Sequence, residues 1–182
     1  RNGNVSEYDY QVSNQLVAER HYTGRSSTNQ AVTATQNRPT GKLRASDPDY
    51  FETRYEYNWN LMPVRVIHPN GNISETVYES DLNPTNASAR VRNNVRFKRE
   101  LPGTHLPAGD QPVLEESFEY DHDFSGVSCS CGFNFVTKHT DARGGVSYWT
   151  WHASGQAATH KDCSGRLTRY GYDGTGALLA QT

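Results

Sequence analysis

One phrase recurs along this chain and limits what it can fold into. It is a glycine, four residues, an aromatic, one residue and a second aromatic. Gly165 leads to Tyr170 and Tyr172, followed by Asp173 and Gly176; Gly144 leads to Trp149 and Trp151, followed by Gly155. Gly3 leads to Tyr8 and Tyr10, and Gly71 to Thr76 and Tyr78, where Thr76 departs from the pattern. A phrase repeated at fixed offsets means that one supersecondary unit is used many times. Two aromatics two residues apart share one face of a strand, so the unit is a strand leaving a glycine turn. Its role is architectural before it is catalytic.

Composition agrees with a thin structure. Only 34% of the 182 residues are hydrophobic, and 11 of the 20 aromatics are tyrosines. Tyrosine covers area with its ring and keeps a polar tip, which suits a sheet with a wet face. A net charge of −2 and a pI near 6.4 give no basic field for nucleic acid or anionic lipid. No apolar run is long enough to span a bilayer, and no signal peptide opens the chain. The opening residues Arg1-Asn2-Gly3-Asn4 read as the middle of something longer.

Strand signals dominate. The expected strands are Val5 to Tyr10, Gln15 to Tyr22, Phe51 to Tyr57, Val64 to His68, Ile73 to Tyr78, and a long Arg-rich run from Ala89 to Leu101. Then come Val113 to Tyr120, Phe133 to His139, Gly145 to His152, Gln156 to Lys161, Arg166 to Tyr172 and Ala177 to Gln181. No helical period of useful length competes. Pro69-Asn70-Gly71-Asn72, Asp141-Ala142-Arg143-Gly144-Gly145, Asp162-Cys163-Ser164-Gly165 and Asp173-Gly174-Thr175-Gly176 supply tight turns. Facing aromatics on neighbouring hairpins are expected to stack into a ladder. The fold class is therefore all-β: an array of antiparallel hairpins in a spiral or solenoid-like sheet. It is a single array over 1–182, with polar insertions at about 23–48 and 80–112.

The residues now carry a resemblance. Asp162 through Leu178, DCSGRLTRYGYDGTGAL, is similar to a YD repeat. Thr140 through Trp151 resembles the same unit with tryptophan in the aromatic slots, and His68-Pro69-Asn70-Gly71-Asn72-Ile73 resembles its start. Phe118-Glu119-Tyr120-Asp121 and Tyr55-Glu56-Tyr57-Asn58 resemble its second half. Such repeats occur in Rhs proteins, the C component of Tc toxins, wall-associated bacterial proteins and teneurins. The resemblance implies hairpins coiled into a spiral sheet, often a hollow shell, in secreted or surface-exposed proteins. The conserved C-terminal core of Rhs members, with its self-cleaving aspartate site, has no counterpart here, so no autoprotease residues carry over.

Candidate chemistry is sparse. An extracellular location, implied by the resemblance, makes Cys129, Cys131 and Cys163 candidates for a disulfide. One of the first two would bridge to Cys163; a Cys129–Cys131 bridge and free thiols are the alternatives. His139 or His160 with these thiols matches no common zinc module, so neither metal nor cofactor is expected. Asp121 and Asp123 flank His122 without the glycine and glutamate of a calcium loop. No nucleophile–base motif or phosphate loop is present, so no catalytic residue is assigned. Arg90, Arg92, Arg96 and Lys98 share a face by alternation, and Glu115, Glu116 and Glu119 are their expected cross-strand partners. Tyr148, Trp149 and Trp151 are candidates for stacking on a cell-surface glycan. Asn4, Asn72 and Asn86 head sequons for N-glycosylation.

The two ends are in repeat register. Tyr172 to Tyr10 across a head-to-tail join is 20 residues, and Trp151 to Tyr172 within the chain is 21. The expectation is a non-enzymatic extracellular structural unit that builds a shell wall or a head-to-tail fibre. Its expected partner is itself or adjacent repeats. The alternatives are a carbohydrate-binding or adhesin module and a cargo-enclosing shell fragment of an Rhs or Tc toxin.

Overall fold

The structure, a computed structural model, describes residues 3–26, 37–85, 91–103, 111–121 and 134–182. It is all-β but for one helical turn. The elements are β1 (Ser6–Tyr10), β2 (Leu16–Tyr22), β3 (Tyr50–Tyr57), β4 (Pro63–Ile67), β5 (Ile73–Tyr78), α1 (Glu79–Leu82), β6 (Val95–Leu101) and β7 (Leu114–Tyr120). They continue with β8 (Val136–Thr140), β9 (Val146–Trp151), β10 (Ala157–Lys161), β11 (Leu167–Tyr172) and β12 (Leu178–Gln181). Strand order in the sheet is sequence order, β1 through β12. The hairpin array read from the sequence is the fold.

Eleven of the expected strands lie within three residues of the observed bounds. The Arg-rich run does not. Its strand begins only at Val95, because Val91 to Asn94 closes a turn in which the Asn94 N–H donates to the Val91 carbonyl at 2.8 Å. Asn93-Asn94 favours such a turn over continued extension. That turn also braces α1: the Glu79 and Ser80 N–H groups donate to the Asn94 and Arg92 carbonyls at 2.8 and 3.0 Å. Asp81 caps α1 by accepting the Tyr78 N–H at 2.9 Å. Four residues are too few to show a helical period in sequence.

The chain divides into two compact units, Arg1–Ser74 with Leu101–Pro112, and Glu75–Glu100 with Val113–Thr182. In the first, residues 37–48 return to the sheet. Arg38 ion-pairs with Glu7 of β1, and Lys42 with Asp49 at 3.2 Å. The Thr23 hydroxyl donates to the Pro48 carbonyl at 2.7 Å. Gly24 is buried where an added methyl group would run into the Gly41 carbonyl. In the second unit, Arg99 bridges Glu115 at 2.5 Å and Glu75 at 3.1 Å. Lys138 meets Glu119 at 2.6 Å, and Arg96 meets Glu79 at 3.6 Å.

Of the β6 cations, Arg99 is thus paired with strand carboxylates, whereas Arg96 of the expected face meets Glu79 of α1. Lys98 instead lies 5.8 Å from the centre of the Phe118 ring. Arg92 sits in the turn before β6, and Arg90 lies outside the described residues. Among the described residues the buried apolar side chains are Ala18, Tyr78, Val91 and Tyr120. So thin a core leaves the backbone ladder and cross-strand pairs to carry much of the order.

Candidate functional site

The repeated element begins with a turn. Residues 11–15, 58–62, 68–72, 141–145, 152–156, 162–166 and 173–177 share one hydrogen-bond pattern. In each, the first residue's N–H donates to the fifth residue's carbonyl, and the fourth residue's N–H donates back to the first carbonyl. The fourth residue must then take positive φ. Gly71, Gly144, Gly155, Gly165 and Gly176 do so at 81–89°, Asn14 at 65° and Leu61 at 61°. Gly71, Gly144, Gly155, Gly165 and Gly176 of the opening phrase are therefore hinge points of one turn type. Gly3, also left-handed at 67°, accepts the Ser26 N–H at 2.8 Å.

The first residue of the turn explains the aspartates. Oδ1 of Asp141, Asp162 and Asp173 each accepts two backbone N–H groups, from the second and fourth residues on, at 2.8–3.0 Å. Asn58 makes the same pair of bonds at 3.0 Å. Donors aimed at a carboxylate favour its charged form. Asp162 is lowered from 3.8 to about 2, first by the Ser164 hydroxyl and then by the Arg166 N–H. Asp141 is lowered chiefly by the Gly145 N–H, and Asp173 chiefly by the Thr175 hydroxyl.

A bulge follows five of the aromatic strands. Tyr10 faces Leu16, Tyr57 faces Pro63, Tyr120 faces Val136, Trp151 faces Ala157 and Tyr172 faces Leu178. In each case the ladder then skips one residue of the outgoing strand: Val17, Val64, Thr137, Ala158 or Leu179. A bulge kinks the strand and increases its twist. Its position, always opposite the second aromatic, was not legible in the sequence.

The two aromatic slots do different work. At Tyr57, Tyr120 and Trp151 the second clasps the preceding hairpin by its polar tip. The Tyr57 hydroxyl donates to the Leu16 carbonyl at 2.9 Å, the Tyr120 hydroxyl to Val95 at 2.9 Å and the Trp151 Nε1–H to Val136 at 2.8 Å. Leu16, Val95 and Val136 are the first residues of β2, β6 and β8. The first slot packs on the strand that follows. Phe118 stacks on His139 with centroids 4.8 Å apart, and Trp149 on His160 at 4.6 Å. Each of these is a cross-strand pair.

The expected ladder of aromatic on aromatic is therefore replaced, at these slots, by aromatic on histidine. Successive aromatic strands are separated by one strand, roughly 9–10 Å away, and the residue between them fills the gap. Tyr55 instead donates to Glu19 at 3.3 Å, and its hydroxyl is raised by burial and by that carboxylate.

The remaining candidates are scattered. Tyr148 is exposed and, by strand alternation, points opposite to Trp149 and Trp151. The Trp151 ring packs against Phe135 at 4.8 Å. Tyr78 is buried at the start of α1. Tyr170 pairs with Gln181, and Tyr172 meets His152 edge-on at 6.0 Å. Cys163 is exposed in the β10–β11 turn, whereas Cys129 and Cys131 lie outside the described residues, as do His122, Asp123 and Asn86. Asp121 is buried and its N–H donates to the Phe135 carbonyl at 3.1 Å. Asn4 is exposed just before β1. Asn72 is half-buried, and its Oδ1 accepts the Gly103 N–H at 2.6 Å. Among the described residues no three His, Cys, Asp or Glu converge as a metal site, and no helix is long and apolar enough to cross a membrane.

Turn, bulge and clasp, repeated, define an array of one hairpin type. Residues 151–182 match the family described as RHS Repeat. The match falls in the segment where the sequence resemblance is strongest. No curated protein matches. Among solved structures, the chain is similar to one in a TcdB2-TccC3-Cdc42 complex. That match has a TM-score of 0.60 at 11% identity over 99% of this chain. It is also similar to a chain in the Photorhabdus luminescens Tc holotoxin pore with mutated TccC3, with a TM-score of 0.61 at 12% identity over 100% of this chain. A TcdB2-TccC3 structure without its hypervariable C-terminal region matches with a TM-score of 0.59 at 12% identity over 99%. The chain spans 8% of the length of each of these solved chains. At such identities the shared property is the fold.

Proposed function

We propose that this chain is a structural, non-enzymatic segment of a YD-repeat wall, working in a secreted or surface-exposed assembly as part of a shell. One observation carries the reading: the same turn, bulge and clasp recur in both units, so the fold is organised for continuing a sheet. The Tc neighbours support an assembly over a free-standing domain, since TcdB2 and TccC3 occur together in those structures, and the resemblance to Rhs and Tc repeats supports a shell. The module also supports a head-to-tail fibre, because a hairpin that clasps its predecessor can be added without limit.

Electron microscopy of the native assembly distinguishes the two forms. A hollow particle with this chain in its wall supports the shell, and filaments with a hairpin repeat support the fibre. Discrete particles in which this chain forms a separate, catalytically active domain would refute both.

A further inference from the structure

Four junctions of this sheet share one register. The third residue of a strand faces the residue three before the second aromatic of the next. The pairs are Ala18 with Arg54, Phe97 with Ser117, Lys138 with Tyr148, and Thr159 with Arg169. Two of the four junctions are closed by tight turns, at 141–145 and 162–166. A tight turn sets the register of the strands that it joins. The other two are closed by long connections, 23–49 between β2 and β3 and 102–113 between β6 and β7. A connection of that length takes up a slipped pairing at little entropic cost. There the register has to be fixed by the strands themselves.

The fifth residue of each strand shows how. Beside the tight turns it pairs Thr140 with Val146 and Lys161 with Leu167. At the long connections it pairs Arg20 with Glu52 and Arg99 with Glu115. Both arginines use the same atoms. Nε donates to the glutamate of the following strand, at 2.6 Å for Arg20 and 2.5 Å for Arg99. Nη1 reaches a carboxylate of the preceding strand, Asp9 at 2.7 Å and Glu75 at 3.1 Å. Each guanidinium thus ties three strands together. Glu52 raises the Arg20 guanidinium above its ordinary range, and Glu115 does the same to Arg99. A one-residue slip carries either glutamate to the opposite face of the sheet. A two-residue slip brings Tyr50 or Arg54 opposite Arg20, and Val113 or Ser117 opposite Arg99. No slipped pairing offers a carboxylate.

We propose that Arg20 and Arg99 are register-setting residues, which do at the long connections what the left-handed turn does elsewhere. A directional ion pair satisfied in one alignment alone specifies that alignment. The sheet can then carry an insertion without shifting the pairing beyond it. This inference goes beyond the wall reading, since it holds for a shell and for a fibre alike.

The test is NMR spectroscopy of the isotopically labelled chain, with circular dichroism to report whether the sheet survives. Arg20→Leu with Glu52→Leu replaces one bridge by an apolar cross-strand pair that can pack but has no direction. Arg99→Leu with Glu115→Leu does the same at the other. The Thr23 N–H donates to the Asp49 carbonyl. By alternation Ala18 and Arg54 form a pair without mutual hydrogen bonds, whose α protons lie close. The wild type is expected to show their cross-peak and one set of amide signals. The first double variant is expected to keep its sheet, weaken that cross-peak and double the amide signals of 16–22 and 50–57. The second is expected to double those of 95–101 and 114–120. Lys161→Leu, beside a tight turn, is expected to keep a single set. A single native set in either double variant overturns the proposal, because an apolar pair then holds the register equally well. Loss of the sheet in either also overturns it, in favour of a bridge that only stabilises. Doubling in Lys161→Leu overturns the role given to the turn.

Discussion

At the scale of single residues, the turns show what Asp141, Asp162 and Asp173 do. Each carboxylate holds two backbone N–H groups of its own turn. Because the folded state lowers Asp162 from 3.8 to about 2, its contribution to stability is present above pH 4 and is lost as the pH falls toward 2. Asn58 makes the same backbone bonds without a charge. Asp162→Asn is therefore expected to keep the fold at neutral pH and to flatten the acid limb of a stability-versus-pH curve from chemical denaturation.

Leu61 occupies the slot that glycine fills elsewhere, at φ 61°. Leu61→Gly relieves the left-handed strain, estimated at about 1–2 kcal/mol. Part of that gain returns to the greater freedom of glycine in the unfolded chain. Thermal unfolding is expected to show a net rise of a few degrees, and a fall would contradict the shared-turn account. Gly24→Ala acts in the opposite direction, since the added methyl meets the Gly41 backbone. A loss of about 1–3 kcal/mol is expected in urea titration.

At the scale of elements, the clasp is testable one hydrogen bond at a time. Trp151→Phe removes the donor to Val136, and Tyr120→Phe the donor to Val95, while each leaves a ring in place. Each is expected to cost about 1 kcal/mol, read by denaturant unfolding, because it leaves a carbonyl at a strand start without that partner. Phe118→Leu removes the stack on His139 and is a weaker perturbation, about 0.5 kcal/mol.

The strands were legible because alternation and glycine turns are local signals, and β5 was read to the residue. The turns after β4, β8, β10 and β11 were legible from their glycines. The turns after β1 and β3 were not, because Asn14 and Leu61 stand in the glycine slot. The bulge was invisible, since it shows only in the pairing of two strands and not in either one. The same limit hid the histidine partners of Phe118 and Trp149: His139 and His160 are distant in sequence and are brought opposite by register. Arg99 was missed as the bridging cation because alternation assigned weight to the face with more charges, not to the residue facing Glu115.

At the scale of the whole molecule, a thin core with long ladders has a consequence for stability. Burial of a few side chains contributes little on its own, so the backbone ladder and the cross-strand pairs carry much of the order. One hairpin module repeats in one register, and a cryo-electron microscopy map of the native assembly at side-chain resolution tests this. The expected map shows a wall one sheet thick, with Lys138 opposite Tyr148, Thr159 opposite Arg169 and the Trp151 indole on the Val136 carbonyl. A map in which those pairs are shifted by a residue, or in which the strands fold into a two-layer sandwich around a closed core, would contradict it.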